Sequence, residues 1–264
     1  MHRFYLPPDA CKDASPILTD REAHHATHVL RLRKGDPLVV LDGAGSELLC
    51  DICALSRDRV NLAVTRKKFV SPLPYRVALL QGIPKGKILD TIIQKATELG
   101  VHRIVPLLSE RTTTHLEPKD AKAKAEKWRL TAIEAIKQCG NAWLPQIETP
   151  VTPADYLGHH EECELPLIAS LRSDARHPRE HFQAFREMHG RNPKSVCVWV
   201  GPEGDFTPLE LDAIQTAGAR PITLGPRVLR SETAAIYCLS VLNYELQSSS
   251  PVLRTPSPPL GERE

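Results

Sequence analysis

From Tyr75 onward, short apolar segments alternate with longer segments whose apolar residues recur at helical spacing. This alternation is typical of a parallel sheet with helices on its faces, because parallel strands need long crossover connections. The predicted strands lie at 76–83, 102–109, 165–170, 195–200 and 221–224, and the predicted helices at 85–100, 119–140, 177–188, 207–218 and 231–247. We therefore predict an α/β fold for this part of the chain.

Strands predominate in the first part of the chain, where three are predicted at 38–43, 46–55 and 59–69. One helical segment, REAHHATHVLRL at 21–32, interrupts them, with Thr19 or Asp20 as its cap. Short strands separated by glycine and proline turns favour a small β-barrel.

Two prolines within the segment 71–74 indicate a stiff linker between these regions. The predicted domains are therefore residues 1–72 and residues 73–248. The segment 249–264 is rich in serine and proline and has no apolar periodicity, so we predict a disordered tail.

The composition, 41% hydrophobic and 25% charged residues, excludes a wholly disordered or fibrous chain. The sequence has neither a long apolar span nor a signal-peptide pattern, so we expect no membrane span and a cytoplasmic location. A net charge of +2 is weak evidence for a nucleic-acid partner, and RNA contacts would depend on local basic clusters.

Neither the cysteines nor the histidines predict a metal site. The chain has seven cysteines, an odd number that suits reduced thiols, and Cys50 and Cys53 should point to opposite faces of a strand. His24, His25 and His28 share a helix but lack the acidic base and third ligand of a zinc site.

Two turns follow predicted strands and are rich in glycine and proline, one in GPEGDF from Gly201 and one in LGPRVLR around Gly225. Parallel sheets gather ligands at the carboxyl ends of their strands, so the turns could form one binding site or be ordinary turns. The chain lacks the glycine fingerprint of dinucleotide-binding folds, the P-loop and the nucleophile elbow.

Several motifs resemble, in this order, those of the RsmE family of bacterial ribosomal RNA methyltransferases. They are RFYLP, VLRLRKGD, QGIPKGK, IIQKATELGV, PLLSERT, WVGPEGDFTPLEL and LGPRVLRSETAA, and the resemblance covers roughly residues 2–246. It implies a PUA-like β-barrel that binds RNA, followed by a SPOUT-type parallel sheet with a carboxyl-terminal trefoil knot. It also implies a homodimer that methylates N3 of a uridine in 16S ribosomal RNA, free or in the small subunit, with S-adenosylmethionine as methyl donor.

The resemblance assigns a cofactor pocket to residues of the two turns and one earlier strand end. These are Leu171, Gly201, Pro202, Glu203, Gly204, Leu224, Gly225, Pro226, Leu229, Arg230 and Ser231. For RNA binding it points to basic residues of the barrel, which are Arg3, Arg31, Arg33 and Lys34.

For catalysis, a guanidinium suits the negative charge that develops on the uracil oxygens. Arg230 is the first candidate, and Arg111 is a second that could reach in from the same or the partner subunit. Glu203 is favoured as proton acceptor over Glu232, because a carboxylate in the first turn of a helix is stabilised in its charged form.

Two positions depart from the family pattern. Glycine is usual where this chain has Asp205, and an arginine is common near the segment IKQCGN, where Asn141 stands here. The alternatives are a nucleotide-dependent oxidoreductase and a non-catalytic RNA-binding protein. The expected dimer surface is the closing helix at 232–247, with Ile236, Leu239, Leu242 and Leu246, although these residues would equally suit a core.

Overall fold

The computed structural model describes residues 1–13, 15–56, 58–112, 116–159, 163–172 and 174–247. Its strands form two sheets, one of five strands and one of six. The tail predicted at 249–264 lies outside the described residues.

The amino-terminal sheet has the strand order β1-β3-β4-β5-β2. Its strands are β1 (His2–Tyr5), β2 (Ile17–Thr19), β3 (Pro37–Leu41), β4 (Ser46–Leu55) and β5 (Arg59–Phe69). Alternate residues of these strands, among them Phe4, Leu38 and Leu62, share one buried core. Cys50 belongs to that core whereas Cys53 is exposed, which confirms that the two thiols lie on opposite faces.

The predicted helix at 21–32 ends earlier in the structure. Helix α1 (Asp20–His24) follows Thr19 and continues as a π-helical turn over His25–Val29. Arg31 then adopts a left-handed backbone with φ of 53°, which a continuing right-handed helix does not allow.

The second sheet has the order β11-β9-β10-β6-β7-β8, and all its strand pairs are parallel. Its strands are β6 (Arg76–Gly82), β7 (Arg103–Leu107), β8 (Gln146–Ile147), β9 (Leu165–Ala169), β10 (Ser195–Val200) and β11 (Arg220–Ile222). The predicted α/β fold with a parallel sheet is confirmed.

Helices cover both faces of this sheet. They are α2 (Ile88–Glu98), α3 (Pro118–Cys139), α4 (Pro153–His159), α5 (Pro178–His189), α6 (Pro208–Thr216) and α7 (Ser231–Gln247). Helices α2, α3, α5 and α7 contribute to one core, and α4 and α6 pack on the opposite face. None of the helices in the described part of the chain combines the length and apolarity needed to cross a bilayer.

At two helices, residues close in sequence determine where the helix begins. Helix α6 begins at a capping box in which Thr207 accepts a hydrogen bond from the Glu210 backbone and Glu210 accepts one from Thr207, as predicted. Helix α2 begins at Ile88 rather than at the predicted residue 85, because Gly86 adopts φ of 65° and interrupts a helical path.

The apolar stripe of α7 belongs to the core of its own chain. Leu239, Leu242 and Leu246 are buried beside α2, β6 and β10, so a dimer surface on these leucines is wrong and the core alternative is confirmed for them, whereas Ile236 is half-buried. The exposed large side chains of α7 are instead Tyr237 and Tyr244. Helical spacing cannot distinguish the two outcomes, because core and interface both require an apolar stripe.

Candidate functional site

Three neighbouring strands, β11, β9 and β10, end beside one another and open into a cavity of about 310 Å³. The turn after β10 leads into α6, the turn after β11 leads into α7, and Ser170 and Leu171 follow β9. The structure therefore brings the two predicted glycine turns together at the carboxyl edge of the sheet.

The cavity has an apolar floor and a charged rim. Its lining is Ala169, Ser170, Leu171, Val200, Gly201, Pro202, Glu203, Asp205, Leu224, Gly225, Arg227, Val228, Leu229, Arg230, Ser231 and Ala234. Nine of the eleven residues assigned to the pocket from the sequence are among them; Gly204 and Pro226 do not line it. Apolar walls with a few convergent polar groups are typical of small-molecule sites.

A buried hydrogen-bond chain joins the turns. The Ser231 hydroxyl, at the start of α7, donates to the Gly201 carbonyl over 2.8 Å. The fully buried Gln81 amide donates to the Ser231 hydroxyl over 2.9 Å and to the Gly82 carbonyl over 2.9 Å. These bonds fix α7 and the β10 turn to the end of β6.

Two positions in the turns require a left-handed backbone. Gly225 has φ of 105°, a conformation that glycine adopts without a steric penalty. Asp205 has φ of 58°, which explains why glycine suits this position and shows that this chain accommodates an aspartate there. Burial raises the pKa of the Asp205 carboxyl, and the Phe206 backbone N–H and Arg111 partly oppose that rise.

The predicted catalytic residues occupy different places. Arg230 lines the cavity and is exposed. Glu203 also lines it, and its Oε1 accepts a hydrogen bond from the Lys85 backbone over 3.0 Å. Arg111 lies on the other side of the turn, where its guanidinium donates to the Gly204 carbonyl over 2.8 Å. Arg111 therefore braces the turn and does not face the cavity of its own chain.

Several residues in or beside the cavity received no role from the sequence. Arg227 stands in the quoted motif LGPRVLR, so its charge was visible, and Asp205 was noted only as a departure. Gln81 was missed although a glutamine inside the apolar segment RVALLQGI is itself a signal, because a buried amide needs partners.

The predicted RNA-binding residues lie in two different environments. Arg31, Arg33 and Lys34 are exposed around the turn before β3. The Arg3 guanidinium instead donates to the Lys137 and Gln138 carbonyls in the last turn of α3, at 3.4 and 3.2 Å. Asn141, the second departure, accepts a hydrogen bond from the Trp143 backbone in the loop after α3.

An RNA methyltransferase domain model matches residues 71–243, and an RNA methyltransferase PUA domain model matches residues 18–65. Ribosomal RNA small subunit methyltransferase E of Bacillus subtilis (strain 168) is 31% identical over 233 residues, which cover 87% of this chain and 90% of that protein. The chain belongs to the ribosomal RNA small subunit methyltransferase E family. This is the RsmE family that the motifs resemble.

Further members agree with this membership. The methyltransferase E of Synechocystis sp. is 31% identical over 94% of this chain and 78% of its own length. A crystal structure of the Neisseria gonorrhoeae enzyme bound to S-adenosyl methionine has a TM-score of 0.79 and 26% identity, and the match covers 92% of this chain and 97% of that one. The chain is thus an RNA methyltransferase with an amino-terminal PUA domain.

Proposed function

We propose that the protein transfers a methyl group from S-adenosylmethionine to N3 of a uridine in 16S ribosomal RNA, free or within the small subunit. The observation that carries this proposal is the cavity shared by the turns after β10 and β11. Family membership favours methyl transfer over the nucleotide-dependent oxidoreductase considered from the sequence.

The residues of the cavity suit this cofactor. Val200, Leu224 and Leu229 offer apolar walls for an adenine ring, and the turns at Gly201 and Gly225 line the cavity with residues that have no side chain. Adenosine carries no phosphate, so a phosphate-binding loop is not required. The bound cofactor would supply a methyl group on a positively charged sulfur, which is a good leaving group.

The protein's own residues must align the acceptor and manage one proton. Uridine N3 is protonated at neutral pH and becomes nucleophilic as negative charge spreads to the flanking carbonyl oxygens. The Arg230 guanidinium at the cavity rim can stabilise that charge. We retain Glu203 as the candidate proton acceptor, and we assign Arg111 the positioning of the turn that carries Glu203.

Incubation with methyl-labelled S-adenosylmethionine and undermethylated small subunits tests the function. We expect label in one uridine, identified as 3-methyluridine by base mapping. Methylation of another base would contradict the assigned acceptor. No transfer, with RNA still bound, would favour a non-catalytic RNA-binding or ribosome-assembly protein.

Replacing Arg230 with alanine is expected to lower kcat on the order of 100-fold, because a fixed charge opposite the developing oxyanion is lost. Affinity for the cofactor, measured by calorimetry, should change far less. Arg191→Ala is the control, since Arg191 pairs with Glu164 outside the cavity. An unchanged kcat in Arg230→Ala would mean that the guanidinium has no catalytic role.

For RNA binding we propose Arg31, Arg33 and Lys34, with Arg3 acting mainly as a link between β1 and α3. The combined variant Arg31→Asn and Arg33→Ala should weaken RNA binding and reduce the slope of log Kd against log salt by about 1–2. Asparagine is chosen because it tolerates the left-handed backbone of Arg31. Equal losses of RNA and cofactor affinity would contradict a specific RNA role.

Several broader features remain proposals that rest on the family resemblance. We infer domains at 1–72 and 73–248, a PUA-like β-barrel, and a SPOUT fold whose carboxyl-terminal segment forms a trefoil knot. We also infer a cytoplasmic homodimer. The exposed Tyr237 and Tyr244 on α7 are candidates for its interface, which sedimentation of a Tyr237→Ser and Tyr244→Ser variant would test.

A further inference from the structure

We propose that Asp205 makes the cavity selective for the cationic methyl donor over its neutral demethylated product, which makes Asp205 a specificity-determining residue. This inference rests on the proposed function, since it concerns how the same cavity distinguishes S-adenosylmethionine from S-adenosylhomocysteine.

The turn itself holds the Asp205 carboxylate in place. Its Oδ1 accepts a hydrogen bond from the Phe206 backbone over 2.8 Å, and its own N–H donates to the Pro202 carbonyl over 3.0 Å. The same Oδ1 lies 2.6 Å from where a Cβ on Gly201 would be, so the carboxylate packs against the first residue of the turn. The turn therefore fixes the position of a negative charge on a residue that lines the cavity.

The effect of the Asp205 charge on a bound cation depends on the other charged groups of the lining. Arg227 and Arg230 bring two positive charges, which repel a sulfonium. Glu203 also lines the cavity, but it is exposed, so water screens its charge more than the charge of the half-buried Asp205. Burial raises the pKa of Asp205, which means that its carboxylate is incompletely hydrated, and a bound cation would compensate for part of that loss.

Methyl transfer changes the charge of the ligand at one atom. The carbon–sulfur bond breaks as the methyl carbon bonds to uridine N3, the electron pair stays on sulfur, and the N3 proton passes to an acceptor. A sulfonium cation thereby becomes a neutral thioether, whereas the amino-acid tail keeps its ammonium and carboxylate. A carboxylate near sulfur therefore favours the donor alone, and one near the tail would favour both ligands equally.

Calorimetric Kd values for both ligands, measured on the full chain, test the inference. In Asp205→Asn the ratio of product Kd to donor Kd should fall roughly tenfold, mainly because the donor binds less tightly. Asparagine keeps an acceptor for the Phe206 N–H and tolerates the left-handed backbone. Asp205→Gly should give the same fall, and Asp212→Asn on α6, outside the cavity lining, should leave the ratio unchanged.

The possible outcomes distinguish the selectivity role of Asp205 from the proposed function of the protein. An unchanged ratio in both Asp205 variants, or equal weakening of the two ligands, overturns the selectivity role while leaving the proposed function intact. A wild-type protein that binds neither ligand overturns the proposed function and the inference together. A fall in the ratio confined to the Asp205 variants supports the inference.

Discussion

Gly82→Ala is expected to weaken S-adenosylmethionine binding by on the order of 10–100-fold, which is a large effect for the addition of one methyl group. A Cβ on Gly82 would lie 2.4 Å from Cδ and 2.6 Å from N of Pro202. The second of these atoms is backbone, so no side-chain rotation relieves the contact, and the β10 turn must move. Such overpacking costs on the order of 1–3 kcal/mol, and here the displaced segment is a wall of the cavity.

Calorimetry of cofactor binding and thermal unfolding together measure this effect. Gly158→Ala is the matched control, since a Cβ at Gly158 in α4 meets nothing within 4 Å. That variant should bind normally and be about as stable as wild type or up to about 1 kcal/mol more so, because alanine favours a helix. Wild-type affinity in Gly82→Ala would mean that the turn tolerates displacement.

Features with local causes were predictable from the sequence. The parallel sheet follows from the alternation of strand and helix, and the start of α6 follows from Thr207, Pro208 and Glu210. The meeting of the turns at Gly201 and Gly225 followed from a rule about strand ends. Each of these inferences needs only residues that are close in sequence or one general property of parallel sheets.

Features that depend on distant partners were not predictable. Arg3 looked like a free basic residue, yet its guanidinium donates to the carbonyls of residues that lie 134 and 135 positions further along the chain. Glu203 looked like an unengaged carboxylate, but the Lys85 backbone donates to it because Gly86 turns the chain before α2. The residue types show that both side chains are charged, but only the tertiary fold determines which groups those charges contact.

Lys137→Met is the second large expected effect, a loss of about 3 kcal/mol in the free energy of unfolding. The Lys137 ammonium lies 2.8 Å from Glu22 and 3.1 Å from Glu134, and its side chain is only 6% exposed. Glu22 follows the amino-terminal sheet's β2, whereas Lys137 and Glu134 belong to α3, so this ion pair joins the two halves of the molecule. Methionine keeps the volume but leaves the poorly hydrated Glu22 carboxylate without its counter-ion.

Denaturant unfolding of three variants identifies the cause. Lys95→Met removes a half-exposed i,i+3 pair with Glu98, which water solvates far better than the Lys137 pair, and should cost at most about 1 kcal/mol. The double variant Lys137→Met, Glu22→Gln should recover part of the loss, because glutamine is neutral and still accepts from the Tyr5 backbone N–H, as Glu22 does. If the double variant were no more stable than Lys137→Met, the cost would arise from the lost cation–π contact with Phe4, whose ring centre is 5.9 Å from the ammonium. Recovery would instead show that the buried Lys137–Glu22 ion pair stabilises the contact between the two halves through its charge balance.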